Sequence, residues 1–521
     1  MECSRSGFLI SASAVASLLS FAWVVILRCW VTPIRASRKL RENGLEGPSP
    51  VFPLGNINEM KRVAMSCGSI RKAGDRGVIS HNIHPSVFPY FSFWQKLHGK
   101  VFVYWLGTEP FLYVADPEFL RQMSSGVMGK SWGKPTVFKH DREPMFGKGL
   151  LMTEGDEWVH HRHVITPAFS PANLRRMVGL MVESTSQMLE KWTAQINAGN
   201  PEFDIEREIM SIASEIIGKT SFGIDHGHGK EVFEKLRAMQ VTLFKTNRYV
   251  GVPFSRILCP TSTMEANKLG KEIDGLLMSI INERKKDTSG IKQNDLLGLL
   301  LEDSCRDGRS GKTLSTKDLV DECKTFFFGG HETTALALTW GLLLLAVHPE
   351  WQEQLREEIR EVIGDKELDA TSLAGLKKMN WVWNEVLRLY SPAPNVQRQI
   401  REDMRVNEET VVPAGTNMWI DIVSMNHDPS LWGDDVNEFR PERFRDDPLH
   451  GGCKHKMGFL PFGFGGRMCI GKNLSAMEYK VVLTLLLSRF SFSLSQNYRH
   501  SPSILLSLRP SQGLPLIVKP L

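Results

Sequence analysis

The chain lacks the features of a disulfide scaffold, a zinc protein or a nucleic-acid binder. Its eight cysteines in 521 residues form no Cys-x-x-Cys pair and no regular spacing. That excludes a disulfide framework and a zinc site, and suits a reducing compartment. No repeat or low-complexity segment appears, so neither a solenoid nor a compositionally disordered tail is expected. A net charge of +5 is mild for this length and gives no case for nucleic acid. Charge is also missing from Phe8 to Leu27, 20 residues that match the thickness of a bilayer core.

The residues around that uncharged run set an expected compartment. Arg28, Arg35, Arg38, Lys39 and Arg41 follow it, against Arg5 and the terminal amine before it. Positive residues stay on the cytoplasmic side, so a single-pass anchor with its large domain facing the cytosol is expected. A cleavable signal peptide is the alternative, but a run that stops at Arg28 and Trp30 looks more like an anchor. Gly47-Pro48-Ser49-Pro50-Val51-Phe52-Pro53-Leu54-Gly55-Asn56 then reads as a stiff hinge. The expected organisation is an anchor over 8–27, a basic and proline-rich hinge over 28–56, and one undivided body over 57–521.

With 42% hydrophobic and 23% charged residues, the body can bury a large core. Hydrophobic periodicity predicts helices over 173–195, 204–220, 231–245, 266–286 and 295–301, and helix throughout 316–363. Short β-like runs lie at 101–105, 110–114 and 417–420 and in the tail 503–518. The expected fold class is mainly α with small β-sheets.

Chemistry concentrates in Phe462-Gly463-Phe464-Gly465-Gly466-Arg467-Met468-Cys469-Ile470-Gly471. Glycines let backbone N–H groups approach a sulfur closely, which suits Cys469 to bind metal as a thiolate. A buried structural cysteine is the plain alternative, and Cys453, 16 residues earlier, is the fallback ligand. Glu385 and Arg388 stand three apart on one helix face, close enough to pair, with Arg388 81 residues before Cys469. Pro441-Glu442-Arg443-Phe444 places a second arginine between them.

Gly329-Gly330-His331-Glu332-Thr333-Thr334 lies in an apolar stretch from Leu319 to Val347, with Ser315 as N-cap and Pro349 at its end. Two glycines and two threonines are poor helix formers. They mark either a kinked core helix or a groove over which Glu332 and Thr333 hold a carboxylate and a hydroxyl for proton delivery. His160-His161-Arg162-His163 and Asp225-His226-Gly227-His228 have no third ligand at standard spacing and read as solvated helix and loop. Asn473-Leu474-Ser475 is a formal glycosylation sequon that a cytosolic body leaves unused.

The cysteine run, the Glu–Arg pair, Pro-Glu-Arg-Phe and the Gly-Gly-His-Glu-Thr-Thr helix stand in the order found in cytochrome P-450 monooxygenases. The chain resembles that family over nearly its whole length. The resemblance implies a single two-lobed domain holding haem b, with Cys469 as the iron ligand, Phe462, Gly465 and Arg467 as cofactor-binding residues of its loop, and Arg467 joining Arg162 and Arg398 as guanidinium groups for the two haem carboxylates. Trp158 and Arg162 match the family's WxxxR, whose side chains reach a haem propionate, and Arg398 corresponds to a further propionate arginine. Ser391 replaces the family's usual second proline nearby. Glu385, Arg388 and Arg443 resemble the cluster that locks the region behind the haem loop. Glu332, standing where many members have Asp, and Thr333 resemble the oxygen-activating pair.

The implied activity inserts one oxygen atom from O2 into a hydrophobic small molecule at the endoplasmic reticulum membrane. NADPH supplies the electrons indirectly, through NADPH-cytochrome P-450 reductase, with Lys454, Lys456, Lys472 and Lys480 as expected docking charges. In texture, Phe328 to Thr334, Asn395 to Arg398 and Phe146 to Leu150 resemble plant microsomal members that hydroxylate hormones. Gibberellin, brassinosteroid and cytokinin are the expected substrate classes, and a fatty acid is the alternative. A reductase-independent isomerase or dehydratase of the same fold remains, as does a non-catalytic haem carrier. Substrate-lining segments are expected at 133–150, 241–258, 326–330, 393–396 and 511–514, apolar enough for a hydrophobic or amphipathic molecule.

Overall fold

The structure is a computed structural model that describes residues 2–74, 79–124, 132–224, 226–244, 249–258, 260–286, 295–306, 314–408 and 410–521. Its axis is the helix Thr316–Val347, 32 residues long. Ser315 starts it with a reciprocal capping box: its hydroxyl accepts from the Asp318 amide at 3.2 Å, and its own amide donates to the Asp318 carboxylate at 2.9 Å. The helix stops at His348, because a following proline disfavours the α conformation, and a second helix begins at Pro349 and runs to Val362. The expected helix over 316–363 is therefore two. Long and apolar enough to cross a membrane, the central helix is instead mostly buried within the protein. From Thr334 to Leu345 every side chain is buried, as a helix apolar on all faces requires.

Helices Pro171–Asn197, Ile205–Phe222, His226–Phe244, Pro260–Lys286 and Lys472–Arg489 gather around it. Gly330 explains one close crossing. A Cβ there would come within 2.4 Å of Ile217, so only glycine lets the helix Ile205–Phe222 pack this tightly. Two hydrophobic clusters result. One joins the sheets to the C-terminal half of the central helix, and the other surrounds its N-terminal half, with Phe146, Leu243, Phe326 and Phe328 among its members.

The main sheet has five strands in the order Val101–Leu106, Glu109–Val114, Asn417–Asp421, Asn395–Ile400 and Trp132–Gly133. The first two form a hairpin, and Phe111 pairs with Asn417 across the parallel step. Phe111, Leu112, Tyr113 and Val114 are all fully buried, so both faces of this strand are covered. The tail forms the hairpin Pro502–Leu505/Ser507–Pro510 and the strand Pro515–Pro520, which pairs with Phe490–Leu494.

The amino-terminal region departs from the expected boundaries. Helix Glu2–Ile26 continues through a π-turn, Leu27–Val31, into Thr32–Glu42, because the arginines and lysines after the apolar run are themselves good helix formers. The proline-rich segment that follows is fastened to the edge strand Val101–Leu106. The Val103 amide donates to the Glu46 carbonyl at 2.8 Å. Asn56 exchanges two hydrogen bonds with the Trp105 backbone, each 2.9 Å long. A strap thus satisfies an otherwise open sheet edge. Gly47→Ala should lower the melting temperature, because its Cβ would lie 2.0 Å from the Val103 carbonyl oxygen, an overlap worth about 1–3 kcal/mol. Gly179→Ala, in the helix Pro171–Asn197 with nothing within 4 Å of the new Cβ, should leave it unchanged or higher. Equal thermal shifts for the two variants would show that the strap is loose.

Candidate functional site

Helix Lys377–Leu389 carries the pair predicted by spacing. Arg388 donates Nε and Nη2 to the two oxygens of Glu385 at 2.7 and 2.8 Å, and both residues are fully buried. The remaining donors of Arg388 reach the carbonyls of Asn426, Val436 and Glu438 at 2.9, 2.7 and 3.2 Å. Glu385 also accepts from the Arg440 amide at 2.9 Å, and Arg443 approaches it at 3.5 Å. Two side chains of one helix thereby gather the chain from Asn426 to Arg443. Trp383, two residues before Glu385, sets its ring 6.3 Å from that of Phe462, which carries the lock to the glycine-rich loop.

In that loop the Cys469 amide donates to the Phe462 carbonyl at 2.9 Å, and Gly463 and Gly465 take positive φ of 73° and 64°, conformations suited to glycine. Cys469 is exposed, yet it lies in a recess deep enough for desolvation to push its thiol pKa up. The amides of Gly471 and Lys472 and the charge of Arg162 oppose that shift. Those three groups favour the thiolate, which is the metal-binding form. Arg162 donates to the Met468 carbonyl at 3.0 Å, so it sits against the cysteine loop. Cys453 is elsewhere, beside Gly458 and Leu431.

Arg398, buried, and Lys134 and Arg467, half-buried, form a positive cluster. Burial, and then the neighbouring guanidiniums, lower Arg398 and Arg467 to about 10 and hold Lys134 well below its ordinary value. Arg467 donates one N–H to the Thr153 carbonyl at 2.8 Å and lies 4.5 Å over the Trp158 ring. Its Nε and Nη2 are buried with no protein partner. Orphaned donors among mutually repelling cations fit a group carrying two carboxylates, and the thiol recess fits an iron. The residues present suit haem. Trp158 supports Arg467 from below, and Lys134 is a cation the motifs did not indicate.

On the central helix, a Cβ at Gly329 would meet nothing within 4 Å. The Thr333 hydroxyl, one turn on, donates to the Gly329 carbonyl at 3.0 Å. The open face is therefore at Gly329, whereas Gly330 serves packing. Glu332 is buried and turned toward other elements: its carboxylate accepts from Gln240 at 2.6 Å and from the Ser507 hydroxyl. Leu506 packs against the cluster of Phe146 and Phe328. Ser511 and Leu514, expected as lining, bond through their amides to Ser501 and Asp204. In the expected lining 241–258, residues 245–248 lie outside the described residues.

Among the described residues no group of three His, Cys, Asp or Glu side chains converges on a metal position, and Asp225 lies outside those residues. His161 was expected in a solvated run, but it is buried, and its Nδ1 lies 2.6 Å from Glu322. Its place one turn from both Trp158 and Ile165 was the available signal.

The cytochrome P450 family model matches residues 80–516. The chain belongs to the cytochrome P450 family. It is 36% identical over 511 residues to cytochrome P450 714C2 of Oryza sativa subsp. japonica, covering 97% of each chain. It is 38% identical over 516 residues to a cytokinin hydroxylase of Arabidopsis thaliana, again covering 97% of each. With cytochrome P450 734A1 of Arabidopsis thaliana it shares 33% over 530 residues, covering 99% of this chain and 98% of the relative. This P450 is a monooxygenase, and the family's cofactor is a haem with a cysteine thiolate ligand.

The His161–Glu322 pair ties the Trp158 helix of this P450 to the central helix. Burial lowers the His161 pKa, but the hydrogen bond and charge of Glu322 outweigh it and the net shift is upward. Burial also raises Glu322, against His161 and the Leu150 amide. The pair holds its proton more tightly than either group does in water. A raised folded-state pKa stabilises fully below the unfolded value of about 6.5 and is lost as pH rises through the folded value. Thermal stability measured from pH 6 upward should therefore fall for the wild type and fall less for His161→Gln. Parallel slopes would show that the pair does not titrate in this range.

Proposed function

We propose that this P450 hydroxylates a plant hormone or related isoprenoid of the gibberellin, brassinosteroid or cytokinin kind, at the endoplasmic reticulum membrane. The observation that carries the reading is Cys469, held with two loop amides and Arg162 around it, together with a positive cluster whose Arg467 lies over the Trp158 ring. When bound, haem supplies activation of O2 and insertion of one oxygen atom into the substrate. Cys469 is its thiolate ligand, with the Gly471 and Lys472 amides holding negative charge on the sulfur. Arg398, Arg467 and Lys134 bind the propionates, the work for which guanidinium groups are best suited. The Thr333 hydroxyl holds a proton on the open face of Gly329, and Glu332 resupplies it.

Phe146, Phe328, Leu243 and Leu506 exclude water and favour an apolar substrate. The relative named a cytokinin hydroxylase supports a hormone substrate. Fatty-acid hydroxylation is the alternative. Glu332 and Thr333 disfavour a rearranging enzyme, which needs no proton delivery to O2.

Electrons come from NADPH through the reductase. Lys454, Lys456 and Lys472 are exposed and suit its docking. Lys480 does not: its ammonium donates to the Leu373 carbonyl at 3.0 Å, and burial lowers its pKa. The apolar part of the helix through Ser13–Glu42 is almost wholly exposed and long enough to span a bilayer. Its basic end faces the cytosol in this reading, giving a single-pass anchor.

The test is turnover in membranes with reductase and NADPH, offering a cytokinin, a gibberellin, a brassinosteroid and a fatty acid. One of the three hormones should gain a single oxygen derived from O2. Cys469→Ala should abolish both product and the red-shifted carbonyl band that marks thiolate ligation, while Cys453→Ala keeps both. A band retained in Cys469→Ala, or product formed without NADPH, would overturn the reading.

A further inference from the structure

We infer that the hairpin Pro502–Pro510 controls when Glu332 can deliver protons, with Gln240 and Ser507 holding its carboxylate until the hairpin tip is displaced by substrate. The inference rests on the reading of Glu332 as the proton source for Thr333 and adds a regulation of that same site.

A single nitrogen makes the connection. Gln240, in the helix His226–Phe244, donates from Nε2 to the Glu332 carboxylate at 2.6 Å and to the Leu505 carbonyl at 2.7 Å. Both partners are acceptors, which fixes the orientation of the amide, and both of its N–H groups are used. The Ser507 hydroxyl adds a third contact from the hairpin to the acid. Gln240 and Glu332 are both buried, so each bond lost there leaves a polar atom to be satisfied again. A shift of the hairpin therefore acts on the same atoms that hold the acid.

The tip is built to shift. Leu505 pairs directly with Ser507, and Leu506 between them has a φ of +68°, a left-handed conformation that strains a leucine. Such strain persists only where the surroundings impose it. Here the Leu506 side chain is pressed against the cluster of Phe146 and Phe328, the apolar region a substrate would enter. An occupant in that region meets Leu506 first.

The charges around the acid oppose one another. Burial raises the Glu332 pKa, while Arg509, Gln240, Ser507 and Arg237 lower it. Arg509 is itself anchored by Glu206 at 3.0 Å. His331 is neutral, lowered to about 4 by burial and by the same two arginines. Removing Gln240 and Ser507 from the acid thus leaves a buried carboxyl that keeps its proton more readily.

The test needs no substrate. Holoenzyme with reductase oxidises NADPH slowly when no substrate is present, reducing O2 to hydrogen peroxide. Gln240→Met keeps the volume and removes both hydrogen bonds. It should raise substrate-free peroxide release by at least about tenfold, the factor one hydrogen bond to a charged group is worth. Leu506→Gly, which removes the tip and its strain, should do the same, and Ser507→Ala is the substitute if Gln240→Met loses haem. The carboxyl infrared band that disappears in Glu332→Gln should shift in Gln240→Met. Adding Glu332→Gln to Gln240→Met should cancel the rise. A rise that survives in the double variant would show that Glu332 is not the proton source, and the underlying reading fails. A cancelled rise with no effect of Leu506→Gly would leave that reading intact and overturn control by the hairpin. Wild-type rates and an unmoved band in Gln240→Met would overturn the clamp itself.

Discussion

A carboxylate and a guanidinium, both sealed from water, hold this protein's chemistry in place. Glu385 and Arg388 meet through two parallel hydrogen bonds, and burying such a pair costs more than its attraction alone returns. It persists because nothing on either group is left idle. Arg388 spends its other donors on carbonyls of the segment 426–438, and Glu385 takes up the Arg440 amide. The pair therefore fixes a stretch of mostly irregular chain whose regular structure is little more than the four-residue helix Pro429–Trp432. Trp383 on the same helix then meets Phe462, and Phe462 supplies the carbonyl that receives the Cys469 amide. The position of the thiol traces back to one helix.

Opposite this fully satisfied centre lies an unsatisfied one. Lys134, Arg398 and Arg467 repel one another in a region of low solvation, with donors of Arg467 unused. A dianionic cofactor reverses that cost, so binding and folding stability are coupled here. The two centres divide the labour. The neutral bolt would position the sulfur, and the positive cluster would hold the carboxylates of a haem. The His161–Glu322 contact connects the helix between them to the central helix, and Gly330 lets that helix lie close to its neighbour.

Features set by local pattern were legible in the sequence. The Cys469 loop, the three-residue spacing of Glu385 and Arg388, the Ser315 cap and the strands at 101–105 and 417–420 all depend on neighbours along the chain. Residues that act through tertiary contacts were not. Lys134 joins the arginines only because the short strand Trp132–Gly133 pairs with Asn395–Ile400. His161 sits in a run of charged and ring nitrogens whose buried face is a single residue wide. The tail hairpin turns at Leu506, without the glycine, proline or asparagine that ordinarily marks a turn, so nothing in the sequence marked its tip. Arg162 and Lys480 look alike on paper as surface cations. One caps the cysteine loop and the other caps carbonyls of the chain at 373–376.

The central claim is that the Glu385–Arg388 lock holds the cysteine loop through the segment it gathers. Hydrogen exchange of Arg388→Lys tests this most directly, because lysine keeps the charge but cannot form the two-pronged contact. Exchange should accelerate together in 426–438 and 462–471, with haem lost, while the central helix Thr316–Val347 stays protected. A loop that loosens while 426–438 remains protected, or wild-type exchange in both, would contradict the account.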